Sequence, residues 1–256
     1  MKTPKTEQQP AVAFYTLGCK LNFAETSAIA RTFEAQGYRR VEWEDDAQVY
    51  VINTCTVTEN ADRRVRSLVR GVLRRRKDAF VVAAGCYAQV NPEEIRRSVG
   101  VSLVVGAADK FRIPELLPTD PRRTPAQVVR TDLTESVPYH GAYSLSERTR
   151  AFLKIQDGCD YRCTYCTIPR ARGGSRSEPL ESILESARTI VASGIREIVL
   201  TGVNTGDWGR TQGTGETFFD LVQALEGVEG LDRIRISSIE PNLLTDPILE
   251  FIARSR

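Results

Sequence analysis

Three cysteines stand close together in the middle of the chain: Cys159, Cys163 and Cys166. They follow a short apolar run and have the spacing C-x₃-C-x₂-C, so their thiolates could converge on one metal centre. A structural zinc ion takes four protein ligands, and the nearest candidate for the fourth is His140. An iron–sulfur cluster can instead use three cysteines and leave one iron open for chemistry. The spacing favours the open cluster, with zinc as the alternative, and we assign His140 no role.

The other three cysteines, Cys19, Cys55 and Cys86, are far apart in the sequence but occupy equivalent positions. Each comes just after a predicted strand, in a segment where strands and helices alternate four times; the first helix is predicted to begin at Glu25. Such alternation predicts a parallel sheet covered by helices, and ligands bind outside the carboxyl ends of its strands. We therefore predict a second metal site at this edge. The alternative is three small buried side chains that close the strand ends.

The chain divides into segments of different composition. Residues 1–11 are predicted as a disordered tail, 12–117 as an N-terminal domain with an open parallel sheet, 118–147 as a proline-rich linker, and 148–256 as a second α/β domain. The strand–helix rhythm restarts at Ala151 but stops after three units. Three parallel strands leave an open edge, so we expect an incomplete version of a longer protein.

The composition excludes few partners. The chain has 256 residues and a formal net charge of +2. Its polar N-terminus lacks a signal peptide, and no apolar run approaches the roughly 18 residues of a membrane helix. We therefore expect a cytoplasmic protein without membrane contact, in which six cysteines serve as metal or redox ligands.

Eight cations between Arg63 and Lys77 suit RNA phosphates, although such helix faces are often only solvated. Three further arginines are predicted to contact substrate phosphate or a cofactor: Arg170, Arg172 and Arg176.

The stretch Gly158–Cys166, with Tyr165 before the third cysteine, resembles the signature loop of radical S-adenosylmethionine (SAM) enzymes. The two halves together resemble the methylthiotransferase family within that superfamily. This resemblance is carried by Leu17-Gly18-Cys19-Lys20-Leu21-Asn22, Asn53-Thr54-Cys55 and Ala84-Gly85-Cys86. The segments Cys166-Thr167-Ile168-Pro169 and Thr201–Asp207 look most like the branch that acts on threonylcarbamoyladenosine in tRNA.

The resemblance implies a fold and a set of cofactors. It implies a radical SAM barrel truncated after three of six units, without the C-terminal TRAM domain of the family. It further implies two 4Fe–4S clusters: one on Cys159, Cys163 and Cys166, which cleaves SAM reductively, and one on Cys19, Cys55 and Cys86, which carries the added sulfur. The implied SAM contacts lie in the cysteine loop and after the second and third barrel strands: Tyr165, Gly202, Asn204, Ser237, Ser238 and Glu240.

The implied function is transfer of a methylthio group to carbon 2 of threonylcarbamoyladenosine, next to the anticodon of tRNA. The implied partners are a tRNA anticodon loop, a reducing electron donor and a sulfur source. Two kinds of alternative stay open. The same chemistry could act on another tRNA adenosine or on a ribosomal protein, or the chain could be a non-enzymatic metal or electron-transfer module.

Overall fold

The structure is a computed structural model that describes residues 9–55, 61–97, 100–118, 126–133, 137–145 and 149–255. It divides into two compact units. The first comprises the chain up to Leu17 and Ile29–Thr131, and the second comprises Gly18–Ala28 and the chain from Asp132 onward. Residues 1–8 of the predicted tail, and residues 119–125, 134–136 and 146–148 of the predicted linker region, lie outside the described residues.

The first unit alternates strands and helices. Its elements are β1 (Ala11–Thr16), α1 (Lys20–Ala35), β2 (Arg39–Val41), β3 (Val49–Thr54), α2 (Ala61–Arg75), β4 (Phe80–Gly85), α3 (Cys86–Val90), α4 (Pro92–Arg96), β5 (Leu103–Val105), α5 (Ile113–Leu116) and β6 (Gln127–Val129). The beginning of α1, as far as Ala28, is counted with the second unit.

The strands of the first unit form a parallel sheet in the order β2-β1-β3-β4-β5-β6. Successive side chains of a strand point to opposite faces. In β3, Tyr50 and Ile52 accordingly join one buried cluster with α2, while Val49 and Val51 join another with α1. Because both faces are covered, every residue of β3 and β4 is buried. This arrangement confirms the predicted α/β fold with an open parallel sheet.

Two strands of this sheet were not predicted. The short β2 pairs with β1, and β6, inside the segment predicted as linker, pairs with β5. Each has three residues, too few for a clear apolar pattern. At the other end, Ala11 belongs to β1 rather than to the predicted tail. The first helix begins at Lys20, so the predicted start at Glu25 was wrong by more than one turn.

The second unit repeats the alternation after a short antiparallel strand. Its elements are β7 (Ala142–Tyr143), β8 (Ala151–Lys154), β9 (Gln156–Asp157), α6 (Ile168–Arg172), β10 (Arg176–Ser177), α7 (Leu180–Ala192), β11 (Glu197–Thr201), α8 (Phe218–Glu226), β12 (Arg233–Ile236) and α9 (Asp246–Arg254). The main sheet has the order β12-β11-β8-β7, with β8, β11 and β12 parallel and β7 antiparallel to β8. Its core is formed by apolar residues of β8, β11, α7 and α8.

The predicted open edge is present at β12. Among the described residues, β12 pairs with β11 alone, and Ile234 and Ile236 are only partly buried. A groove of about 430 Å³ lies along this edge, lined in part by Phe251 and Ile252 of α9. In the part of the chain that the structure describes, no helix is both long and apolar enough to cross a bilayer.

Candidate functional site

The C-x₃-C-x₂-C loop is anchored where it begins by backbone contacts. Its first residue, Gly158, has a positive φ of 71°, and a Cβ there would collide with the carbonyl oxygen of Gly174. The next residue, Cys159, donates its N–H to the carbonyl of Gly173 at 3.0 Å. The loop therefore leaves β9 in close contact with the chain that follows α6, and the first position tolerates only glycine.

The three thiols of the loop are free and lie at or near the surface, with Cys163 exposed and Cys159 and Cys166 half-buried. Burial raises the pKa of the Cys159 thiol, and Asp207 and the two other cysteines raise it further. Within the described ranges, no three His, Cys, Asp or Glu side chains are already arranged as a metal-binding group. Three thiols on one short loop nevertheless match in number and spacing a cluster that uses three cysteine ligands.

A buried glutamine that sequence reasoning missed connects this loop to the end of β11. The side-chain N–H₂ of Gln156 donates to the carbonyl of Gly158 at 2.7 Å. Its Oε1 accepts from the backbone N–H groups of Val203 and Asn204, at 2.8 and 3.0 Å. A Cβ on Gly202 would come within 2.9 Å of the same oxygen. The predicted cofactor residue Gly202 therefore leaves room for the Gln156 contacts.

The other residues predicted to contact SAM fall at the carboxyl ends of β11 and β12, with Tyr165 in the cysteine loop. Asn204 is buried, donates to Asp207 at 2.9 Å and accepts from the backbone of Glu240 at 3.1 Å. Ser237 donates to the carbonyl of Leu200, whereas Ser238 is exposed with a φ of 57°. The structure thus brings the two strand exits together, with Asn204 as the bridge.

The side chains of Tyr165 and Glu240 are exposed to solvent. The Tyr165 side chain is 88% exposed, although it is a large aromatic group. Glu240 is also exposed and uses its backbone, rather than its carboxylate, to bond Asn204. Exposed side chains beside buried, fixed ones are the arrangement expected around a site that binds a ligand from solution.

The dispersed cysteines occupy the predicted strand ends. Cys55 follows the last residue of β3 and Cys86 follows the last residue of β4, and those two last residues are paired in the sheet. Both side chains are buried, and neither forms a disulfide. Cys19 is exposed and directly precedes α1, in the part of the chain counted with the second unit. Cys55 and Cys86 therefore lie at one edge of the sheet, as their sequence positions predict.

A buried ion network lies behind the cysteine loop. Arg172 bonds Asp157 at 2.8 Å and Glu25 at 3.0 and 3.1 Å, and it is 2% exposed. Lys154, 1% exposed, bonds Asp157 at 2.8 Å and Glu25 at 3.0 Å. Three cations hold the pKa of Asp157 well below its usual range, against the opposing effect of its burial.

The predicted role of Arg172 and Arg176 in binding phosphate or cofactor is wrong for Arg172. Its guanidinium is enclosed and already paired with carboxylates, so it is not open to a ligand. Arg176 is 19% exposed and bonds Asp157 at 3.1 Å, whereas Arg170 is exposed. The sequence signals for the network were a lysine inside the apolar strand β8 and an Asn–Glu pair three residues apart, Asn22 and Glu25.

One carboxyl group near this network titrates close to neutrality. Burial raises the pKa of Glu178 from its ordinary value of 4.5 to about 7, against the effects of Lys154 and Tyr139. The folded protein therefore holds a proton that the unfolded chain releases between these two values, so the free energy of unfolding falls as the pH rises across this range.

Replacing Glu178 with glutamine is expected to remove this pH dependence. Near pH 3 the variant and the parent protein should have similar unfolding free energies, because this pH lies below both pKa values and Glu178 is then neutral in both states. At pH 8 the variant should be more stable, by on the order of 2–3 kcal/mol. Urea unfolding at the two pH values measures the difference, with the exposed Glu181→Gln as the control. An equal effect at both pH values would contradict the assignment.

Two family matches cover most of the chain. Residues 11–106 match UPF0004, described as an uncharacterized protein family, and residues 153–255 match the radical SAM superfamily. The second match begins in β8 and includes the cysteine loop. The fold and the cysteine loop of residues 153–255 therefore define a radical SAM domain.

Similarity to named proteins indicates which kind of radical SAM protein the chain resembles. The chain is 42% identical to the threonylcarbamoyladenosine tRNA methylthiotransferase MtaB of Bacillus subtilis over 95% of its own length, and 39% identical to that of Aquifex aeolicus over 94%. It is 34% identical to a tRNA-2-methylthio-N(6)-dimethylallyladenosine synthase of Ruegeria sp. over 92%. Along more than nine tenths of its length the chain is thus similar to tRNA methylthiotransferases, which confirms the resemblance found in the sequence. It spans about half the length of the relatives it matches, from 54 to 59%.

Solved structures agree with the fold. The radical SAM methyltransferase TsrM of Kitasatospora setae, solved with tryptophan and a SAM analogue, matches 91% of this chain and 60% of its own, with a TM-score of 0.53 and 13% identity. The same protein, solved with cobalamin and a 4Fe–4S cluster, gives a TM-score of 0.50 over 93% and 62% of the two chains, at 14% identity. At such low identity, the likeness concerns the fold alone.

Proposed function

We propose that this chain carries the catalytic centre of a tRNA methylthiotransferase that modifies carbon 2 of threonylcarbamoyladenosine. The observation that carries this proposal is a fixed C-x₃-C-x₂-C loop together with two further cysteines, Cys55 and Cys86, that directly follow paired strand ends. The two additional thiols offer ligands for a second cluster beside the one that generates the radical. The identity to relatives of that name supports the choice of substrate.

Cys159, Cys163 and Cys166 would hold a 4Fe–4S cluster in the second unit. When bound together with SAM, such a cluster supplies one-electron cleavage of the sulfonium and thereby radical chemistry. The protein contributes position: the backbone of Gly158 and Cys159 fixes where the loop begins, and Gln156 fixes its distance from the end of β11. Gly202, Asn204, Ser237, Ser238 and Glu240 would hold the amino-acid and ribose parts of SAM, and Tyr165 its adenine.

Cys19, Cys55 and Cys86 would hold a second cluster, which supplies the sulfur to be transferred. Burial of Cys55 and Cys86 excludes water, which suits a reactive sulfur. None of the six cysteines forms a disulfide within the described residues. A reducing electron donor and a sulfur source complete the reaction as external partners.

The relatives support the choice of threonylcarbamoyladenosine as the target base. Identity is higher to the threonylcarbamoyladenosine enzymes, at 42 and 39%, than to the dimethylallyladenosine enzyme, at 34%. This difference favours threonylcarbamoyladenosine over another tRNA adenosine. Modification at carbon 2 requires an unstacked base in a pocket, which an anticodon loop provides more readily than a duplex.

The helix α2 supports an RNA substrate. It contains six arginines and one aspartate, and its apolar residues pack on the sheet. Arg64 and Arg75, at the sides, bond Tyr15 and the carbonyl of Trp43. Successive turns of the outer face carry four exposed arginines: Arg63, Arg66, Arg70 and Arg74. Their spacing makes one cationic stripe opposite the core, suited to contacts with phosphate groups.

Replacing Arg63, Arg70 and Arg74 with glutamine is expected to weaken binding of a tRNA transcript about 10- to 100-fold at low salt. The slope of log affinity against log salt concentration should fall by about 2 to 3, since three phosphate contacts are lost. Fluorescence anisotropy over a salt series measures both quantities. The matched control removes three exposed arginines that have acidic neighbours: Arg188, Arg233 and Arg254. Equal effects of the two triple variants would contradict a specific role for α2.

The class of enzyme is tested by anaerobic reconstitution with iron and sulfide, followed by reduction in the presence of SAM. We expect a brown protein with about eight iron atoms per chain, and formation of 5′-deoxyadenosine. A colourless protein that binds zinc and no iron would instead support the non-enzymatic metal module.

A further inference from the structure

The ion network behind the cysteine loop is unusual for its burial. Glu25 and Arg172 have side chains that are 0 and 2% exposed, and Lys154 is 1% exposed. Charged side chains are seldom fully buried unless they are paired. Arg172 meets Glu25 with both ends of its guanidinium, Nη1 to Oε1 at 3.1 Å and Nη2 to Oε2 at 3.0 Å. Nη2 also donates to Asn22 Oδ1 at 2.8 Å.

This network joins three segments of the second unit, and each segment carries a cysteine of one of the proposed sites. Glu25 lies in α1, six residues after Cys19, and therefore about 9 Å along the helix axis. Asp157 lies two residues before Cys159, and its Oδ1 accepts the N–H of Gly158 at 2.9 Å. Arg172, at the end of α6, lies six residues after Cys166.

Stability alone does not account for the network. The start of α1 already has an apolar contact with β8, through the rings of Phe23 and Phe152, whose centres are 6.4 Å apart. Apolar residues of similar size often serve stability as well as a buried ion pair does, or better. A forked Arg–carboxylate contact differs in being directional, so that it permits one relative position of the two segments.

The contacts of the network are unequally distributed. Asp157 is held by three cations, since Arg176 bonds its Oδ2 at 3.1 Å in addition to Lys154 and Arg172. The cysteine loop therefore keeps two ionic contacts when Arg172 is changed. At the start of α1, a change of Arg172 removes three hydrogen bonds, two to Glu25 and one to Asn22, and leaves the bond from Lys154 to Glu25 at 3.0 Å. The start of α1 therefore loses more contacts than the cysteine loop does.

We propose that Glu25 and Arg172 are positioning residues that hold the start of α1, and with it Cys19, at a fixed place beside the base of the C-x₃-C-x₂-C loop. The inference rests on the proposed function, because it assigns Cys19 to the second cluster. The inference adds that the position of Cys19, the first ligand of the second cluster, depends on side chains that flank the C-x₃-C-x₂-C loop.

The test uses two cysteine backgrounds of the full chain. In the first, Cys159, Cys163 and Cys166 are alanine, so that only the dispersed cysteines can bind a cluster. In the second, Cys19, Cys55 and Cys86 are alanine. Glu25→Gln and Arg172→Lys are introduced into each, with the exposed Glu181→Gln as the control. Iron release to a chelator and the EPR spectrum of the reduced cluster are measured, together with amide hydrogen exchange.

We expect both variants to speed iron release about tenfold in the first background, and to change its EPR spectrum. In the second background, release should change less than about twofold. Amides of residues 20–28 should exchange at least about tenfold faster, while those of α7 keep their rates. Arg172→Lys retains the charge but loses the fork, so an effect of this variant identifies geometry rather than charge.

The possible results distinguish a failure of the positioning role from a failure of the proposed function. Equal effects in the two backgrounds, or unchanged exchange in residues 20–28, would overturn the positioning role. If the first background binds no iron even with Glu25 and Arg172 intact, the second cluster itself is refuted. In that case hydrogen exchange still decides whether these two residues hold the start of α1.

Discussion

Replacing Cys163 with alanine is expected to abolish reductive cleavage of SAM, with a loss of at least about 10³-fold in the rate of 5′-deoxyadenosine formation. Cys163 is the exposed member of the loop, and its side chain carries no packing role that the substitution would disturb. Two remaining thiols are too few to hold a cluster that relies on three protein ligands. Chromatographic measurement of 5′-deoxyadenosine after anaerobic reduction gives the rate.

The matched control for this prediction is Thr164→Ala. Thr164 is the exposed neighbour of Cys163 in the same loop, and its replacement removes a side chain of similar size without touching a thiol. The control should retain its iron and most of its SAM cleavage. Substantial SAM cleavage by the Cys163 variant would exclude this loop as the site of the radical chemistry.

Replacing Cys55 with alanine is expected to separate the two halves of the reaction. SAM cleavage should persist within about twofold, because the loop with Cys159, Cys163 and Cys166 is untouched, whereas methylthiolated product should fall by at least about 10²-fold. Cys55 follows β3 and lies beside Cys86 at the edge of the sheet. Mass spectrometry of the nucleosides from a reacted tRNA measures the product, in parallel with the assay of SAM cleavage.

Loss of product in this variant could also follow from a cavity in the core, since Cys55 is buried. Cys55→Ser distinguishes the two causes, because it keeps nearly the same volume but removes the thiolate. Both variants should lose the product. Full product formation by the serine variant would show that packing, rather than ligation, accounts for the alanine result.

The sequence predicted the sheets well where strands are long and buried. β3 and β4 each have six residues that are buried on both faces, so their apolar runs were unmistakable. β2 and β6 have three residues and exposed side chains, and their membership depends on pairing with a neighbour rather than on their own pattern. The start of α1 was missed because Leu21, Asn22 and Glu25 are buried by tertiary contacts that no local period reveals.

In the candidate site, too, some residues were predicted from the sequence and others were not. Spacing made Cys159, Cys163 and Cys166 candidate ligands, and positions after predicted strands did so for Cys19, Cys55 and Cys86. The structure places Cys55 and Cys86 directly after paired strand ends, and the metal-binding role of all six stays a prediction. Gln156 and Arg172 were missed or misassigned. A glutamine after a strand and an arginine in a basic segment both suggest solvent exposure, and only the folded contacts disclose their buried partners. The role of a polar residue behind a site is thus the hardest to predict from its neighbours in sequence.

The most direct test of the proposed function is mass spectrometry of tRNA nucleosides from cells that lack the full-length gene and from the same cells after the gene is restored. We predict that 2-methylthio-threonylcarbamoyladenosine is absent without the gene, that unmodified threonylcarbamoyladenosine accumulates, and that restoration reverses both changes. Restoring the gene in its Cys163→Ala form should reverse neither change. An unchanged level of the methylthio nucleoside in cells that lack the gene would contradict the proposed function.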